Sequence, residues 1–248
     1  MSSQVQDVAV LDVTSSLRPE RAAFLDLLQT LSAEQWAMPT ECPAYTVKGV
    51  ATHVLGDDLS LLSRQRDAEV PGLFLVAADM PGADFRTLLD TFNDRWVSAA
   101  GFLSPPMIIE LLRVTGDRSA SFYEAVDLEA PCEPVGFFGS AGEASPYWQA
   151  IAREFVERWV HHSQIRRAVG MPSLADEPFV RTGIDVVAAA GGVVGGLHGD
   201  QWTIGPVQLG GSQRAADILT RAHTADEIRQ LVSGPTAAGE LLATSVGR

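Results

Sequence analysis

Apolar residues recur at helical spacing through roughly the first 170 positions, and the pattern divides that stretch into discrete helices. Phe24, Leu27, Leu28 and Leu31 fall at i, i+3, i+4 and i+7, which predicts a first helix that starts near Pro19 and reaches about Leu31. The loop MPTECPAYT carries two prolines. Thr46 then offers a hydroxyl cap to a second helix bearing Val47, Val50, Ala51, Val54, Leu55, Leu61 and Leu62. Further helices are expected from about Asp84 to Phe102 and from Pro106 to about Val126. After the Gly- and Pro-rich run PCEPVGFFGSAGEASP, Ser145 and Pro146 read as cap and first turn of a long helix reaching Val169.

The pattern changes after Gly170-Met171-Pro172. Residues 176–197 read as one more helix, WTIGPVQL (202–209) alternates like a strand, and AADILTRA (215–222) is a candidate partner strand. Two short helical stretches, 225–232 and 236–246, close the chain. The expected architecture is mainly α: an antiparallel helical bundle over residues 1–172, then a small α/β domain over 173–248.

Composition narrows the function. The chain has 248 residues, 46% hydrophobic and 20% charged, with a formal charge of −13 and a pI near 4.7. That balance is globular and gives no general attraction to phosphate backbones or anionic lipid, so nucleic-acid and membrane partners are not expected. Small molecules are the expected partners. The N-terminus lacks a basic region ahead of an apolar run, and the longest apolar stretch, 184–197, is too short to span a bilayer, so a cytoplasmic location is expected. Cys42 and Cys132 are far apart, form no CxxC pair and read as reduced thiols.

Several common signatures are missing. GGVVGG (191–196) lacks the GxGxxG spacing and a preceding strand, Ser140 lies in no GxSxG elbow, and there is no P-loop. The histidines are His53, His161, His162, His198 and His223. Glu157 and His161 are four apart on the long helix, so their side chains rise from one face and can share a cation. His162 points about 100° away. His53, on the second helix, is the natural third ligand if the two helices face each other.

A plainer reading of the same residues stays open. Arg153 stands four residues before Glu157, so Glu157 can be half of a surface ion pair and His161 a solvated helix histidine. The apolar stripe Trp148, Ile151, Phe155, Val156, Trp159 and Val160 lies nearly opposite Glu157 and His161. Ala150, Ile165 and Ala168 occupy the other face, however, which suits a helix with protein on two sides.

Two separated segments resemble one known family. They are W-x-x-P-T-x-C-P-x-Y-T-V-x-x-V-x-x-H, from Trp36 to His53, and E-R-W-V-H-H-S-Q-I-R-R-A, from Glu157 to Ala168. Together with the hundred or so residues between them, they resemble the DinB-like superfamily and, within it, the mycothiol-dependent maleylpyruvate isomerase family. The resemblance implies a four-helix bundle followed by a small α/β domain like sterol carrier protein 2. It also implies a divalent metal, zinc by ligand type, on His53, Glu157 and His161. Tyr45 stands where the family often has Trp, and Gln164 where it often has Asp.

A His/Glu/His set leaves a coordination position open. By resemblance, a low-molecular-weight thiol, mycothiol, would enter it and act on a small-molecule substrate. The thiolate could add to an activated double bond for isomerisation or displace a leaving group in S-transfer. Two other readings stand beside this one. The first is a metal-dependent hydrolase with Asp57 or Glu154 as base. The second is a non-catalytic ligand-binding or stress-response protein. Self-association into a homodimer is left open by all three.

Overall fold

The computed structural model describes residues 10–135, 138, 143–221 and 225–232; His223 and the helix expected over 236–246 lie outside them. The chain divides into two compact units. One comprises residues 18–125 and 164–171, and the other residues 1–17, 126–163 and 172–248.

The first unit holds residues 18–30 of α1 (Thr14–Thr30), then α2 (Ala33–Trp36), α3 (Val47–Leu61), α4 (Gly72–Asp79), α5 (Phe85–Ala99) and α6 (Pro105–Ala125). A π-helical turn, Leu62–Arg66, extends α3. Helix α1 begins a turn earlier than Pro19 suggests. Asp12 Oδ1 accepts the Thr14 amide at 2.9 Å and starts the helix there, so Pro19 falls inside it and removes one ladder donor. Helix α2 went unexpected because its four residues carry no period. It is fixed by a capping box in which Ser32 and Gln35 exchange side-chain and backbone hydrogen bonds. Thr46 caps α3 as expected, accepting from the Gly49 amide at 3.3 Å.

Four long helices contribute to the core of this unit. Phe24, Leu27 and Leu28 of α1, Val50, Val54 and Leu55 of α3, and Ile108 and Leu112 of α6 pack with Ile165, which belongs to the long helix α7 (Tyr147–Ala168). Among these apolar side chains lies one buried ion pair. Asp58 on α3 accepts from Arg21 Nη2 of α1 at 2.9 Å and from Thr115 Oγ1 of α6 at 2.8 Å, and Arg21 Nη1 donates to the Leu112 carbonyl at 3.3 Å. The pair ties three helices at one level, and its hydrogen bonds offset the desolvation of both charges.

The second unit holds residues 147–163 of α7, then α8 (Glu177–Gly191), β1 (Gly195–His198), β2 (Gln201–Ile204), β3 (Val207–Gly210), α9 (Ser212–Leu219) and α10 (Ala225–Val232). The strands form one antiparallel sheet in the order β1-β2-β3. The α/β character expected of the C-terminal region is therefore present, with two corrections to its parts. The helix expected over 176–197 stops at Gly191, because Gly192 takes the left-handed conformation that ends a helix, and β1 follows. The segment 215–222 is not a strand. Ala215, Ala216, Ile218 and Leu219 are all buried, at the i, i+1, i+3, i+4 spacing of α9. The alternating run 202–209 pairs with itself instead. Gly205, at φ +51°, lets the chain reverse, and Trp202, Ile204, Val207 and Leu209 all point inward from the resulting hairpin.

Trp159 of α7 anchors this unit. Its ring is buried, stacks with Phe155 at 6.1 Å and donates from Nε1 to the Leu174 carbonyl at 2.9 Å. Gly183 of α8 makes room for it, since a Cβ there would stand 2.3 Å from the ring. No helix among the described residues is long and apolar enough to cross a membrane.

Candidate metal centre

Helix α3 supplies His53. Val47, Val50, Ala51, Val54 and Leu55 form its buried stripe, and His53 sits beside that stripe, only 8% exposed. One turn later Asp57 brings its carboxylate to the imidazole, with His53 Nε2 3.3 Å from Asp57 Oδ2. On the other side Tyr45 stacks on His53, ring centroids 5.9 Å apart and planes 25° from parallel.

The loop before α3 fixes Tyr45. Its carbonyl accepts from the Thr40 amide at 3.3 Å and from Thr40 Oγ1 at 2.8 Å, and Pro39 bridges Thr46 in antiparallel fashion. Gly49 allows the approach, because a Cβ at that position would lie 2.9 Å from Tyr45 Cβ. The phenol donates to Asp94 Oδ1 at 2.8 Å. Burial first, and then this hydrogen bond, push the Tyr45 pKa well above its ordinary value and keep the hydroxyl neutral. In the same loop, burial pushes the Cys42 thiol up, so Cys42 has the character of an inert thiol.

Helix α7 supplies Glu157 and His161, again one turn apart. His161 Nε2 lies 3.5 Å from Glu157 Oε2, and Arg153 Nη2 donates to Glu157 Oε1 at 3.1 Å. Both readings of the sequence are thus represented, since Glu157 faces a histidine with one oxygen and an arginine with the other. Neither side chain is a solvated one: Glu157 is 21% and His161 13% exposed. The apolar stripe from Trp148 to Val160 is buried, and so are Ala150 and Ile165 on the other face, as expected for a helix with protein on two sides. His162 is fully buried on a different face. His198, on β1, lies far along the chain in the sheet.

The structure therefore pairs His161 with Glu157 and pairs His53 with Asp57. Asp57 was read from sequence as a base, and its place as the carboxylate partner of His53 was missed. The signal was present: H-x-x-x-D on α3 repeats, in reverse order, the E-x-x-x-H spacing of α7. Imidazole nitrogen and carboxylate oxygen are both donors that zinc and similar cations take, so the residues present fit a divalent metal.

The model of the mycothiol maleylpyruvate isomerase N-terminal domain matches residues 17–166, which takes in His53, Asp57, Glu157 and His161. The chain belongs to this family. The match ends before the C-terminal helices and sheet. No curated protein and no solved structure matches the chain.

Proposed function

We propose that the protein holds one divalent cation, zinc by donor type, on His53, Asp57 and His161, with Glu157 as the neighbouring carboxylate. We propose further that it works with a low-molecular-weight thiol, mycothiol as the family suggests, in isomerase or S-transferase chemistry on a small molecule. The observation that carries this reading is the repeated pair. On α3 and on α7 a histidine Nε2 faces a carboxylate oxygen one turn away, at 3.3 and 3.5 Å.

Helix continuity supports the same grouping. Ile165 packs in one core with Val50 and Val54 of α3, and His161 and Glu157 stand one and two turns before Ile165 on the same stripe of α7. Three protein ligands leave a position open, and a cation bound there lowers the pKa of an incoming thiol.

The chain's own groups do the rest. Glu157 orients the His161 imidazole, as a carboxylate beside a ligating histidine does. Arg153 holds Glu157 Oε1, which steadies the carboxylate against His161, and the proton that the thiol gives up passes to solvent. The thiolate then adds to an activated double bond, the adduct rotates, and loss of the thiolate restores the double bond with changed geometry. In the transferase variant it displaces a leaving group and stays bonded to carbon. Hydrolysis is less well supported, because Glu154, one of its candidate bases, is buried and already accepts from Arg153 Nη1 at 3.4 Å.

Calorimetric titration of mycothiol, in two buffers of different ionisation enthalpy, tests this. Zinc-loaded protein should bind the thiol with release of a proton and metal-free protein should do neither. Equal binding to both forms contradicts the thiol mechanism.

A further inference from the structure

The loop before α3 is closed by its own hydrogen bonds. Thr40 Oγ1 accepts the Cys42 amide at 3.1 Å and donates to the Tyr45 carbonyl at 2.8 Å, and the Tyr45 amide donates to the Cys42 carbonyl at 3.0 Å. Side-chain turns of this kind tie the backbone from Thr40 to Tyr45 into one piece, so a displacement at one end carries to the other. Glu41 sits inside that piece, between Thr40 and Cys42.

Glu41 is joined to the last turn of α7. Arg167 donates from Nε to Glu41 Oε1 at 2.8 Å and from Nη2 to Glu41 Oε2 at 2.5 Å, the two-pronged match of guanidinium and carboxylate. The Arg167 side chain is only 11% exposed. Cys42 and Tyr45 of the loop pack against the same apolar core as Ala168 and Val169 at the end of α7. Loose surface pairs contribute little, whereas a covered fork fixes position as well as charge.

The fork is remote from the metal ligands on both of its elements. Arg167 stands six residues, about 9 Å of helix, beyond His161. Glu41 stands four residues before Tyr45, whose ring stacks on His53. Asp94 of α5 holds the phenol of that ring, and the Glu41–Arg167 fork holds the other end of the same loop.

We infer that Glu41 and Arg167 are a positioning pair for the metal centre: their fork pins the Thr40–Tyr45 loop to α7 and so keeps the Tyr45 ring seated on His53. The inference rests on the metal reading for its effect on the ion, while its effect on the loop needs no ion.

The test has one readout for each. In metal-free full-length protein carrying Cys132→Ser, Ellman's reagent reports the exposure of Cys42. Arg167→Gln should speed that reaction about tenfold, the size of one charge-assisted hydrogen bond, and Arg167→Lys, which keeps the charge without the fork, should fall between Gln and wild type. Loss of a nearby cation by itself raises a thiol pKa and slows the reaction, so acceleration reports release of the loop. By chelator competition, Arg167→Gln should weaken zinc about tenfold in otherwise wild-type protein but less than twofold in Tyr45→Ala protein, where the ring it acts through is gone. An unchanged Cys42 rate overturns the inference, as does a zinc effect that is the same with and without the Tyr45 ring. Wild-type protein that binds no zinc overturns the metal reading instead, and the Cys42 rates then still decide whether the fork holds the loop. Should Arg167→Gln lack the wild-type circular dichroism spectrum, Glu41→Gln takes its place with the same outcomes.

Discussion

Tyr45 stacks on His53 while its hydroxyl is held by Asp94 of α5, so the ring that borders the candidate ligand is anchored on a different helix from the ligand itself. The stack limits rotation of the imidazole without occupying either ring nitrogen. Tyr45→Phe should therefore leave metal affinity within about twofold, whereas Tyr45→Ala should weaken it by about tenfold, the lower end of the effect of lost supporting partners. Competition with a chromophoric chelator measures both.

The raised Tyr45 pKa also gives a pH signature. A group whose folded pKa lies above its unfolded value stabilises the fold fully below the unfolded pKa, and that stability is lost as pH rises through the folded one. For a phenol the loss begins above about pH 10. Wild-type protein should lose thermal stability above that pH more steeply than Tyr45→Phe. Parallel curves would show that Tyr45 is not held neutral by the fold.

Breaking the buried ion pair should be far more costly than removing a surface contact. Asp58→Ala leaves the Arg21 guanidinium buried beside Thr115 with its carboxylate gone, and should destabilise by about 3–5 kcal/mol. Thr115→Val removes one hydrogen bond to Asp58 and should cost about 1 kcal/mol. Urea denaturation followed by circular dichroism compares them. Equal effects would mean that the ion pair contributes little beyond its hydrogen bonds.

In the second unit, Gly183→Ala forces a methyl against the Trp159 ring, which is held by its hydrogen bond to the Leu174 carbonyl. Overpacking of this kind costs about 1–3 kcal/mol. The melting temperature should fall, and Trp159 fluorescence should shift toward longer wavelength as the ring leaves its buried position.

Much of this was legible because the relevant signals are local and periodic. The stripes of α1, α3, α6 and α7 repeat every three to four residues, and Thr46 announces the start of α3, so these helices can be placed from sequence. The hairpin of β2 and β3 was hidden because Trp202, Ile204, Val207 and Leu209 keep alternating on paper across Gly205 and Pro206, where the backbone in fact reverses. The α9 segment was misread because its Ala-rich face has too little contrast to separate a period of two from 3.6. His53, Glu157 and His161 could be named from spacing and resemblance. The H-x-x-x-D spacing places Asp57 on the same face as His53, and the approach of its oxygen to His53 Nε2 shows that this is the neighbour it serves.

The two carboxylates are separable by substitution. Asp57→Asn should lower metal affinity more than Glu157→Gln, because Glu157 Oε1 is already held by Arg153 while Asp57 Oδ2 lies 3.3 Å from His53 Nε2. The reverse order would make Glu157 the ligand and Asp57 its support.

The central claim is that the histidines of α3 and α7 hold one ion together, and metal content measures it most directly. Protein loaded with zinc and freed of excess by gel filtration should retain about one equivalent by elemental analysis. His53→Ala and His161→Ala should each retain almost none while keeping the wild-type helical circular dichroism spectrum. Full zinc occupancy in either variant would contradict the shared site.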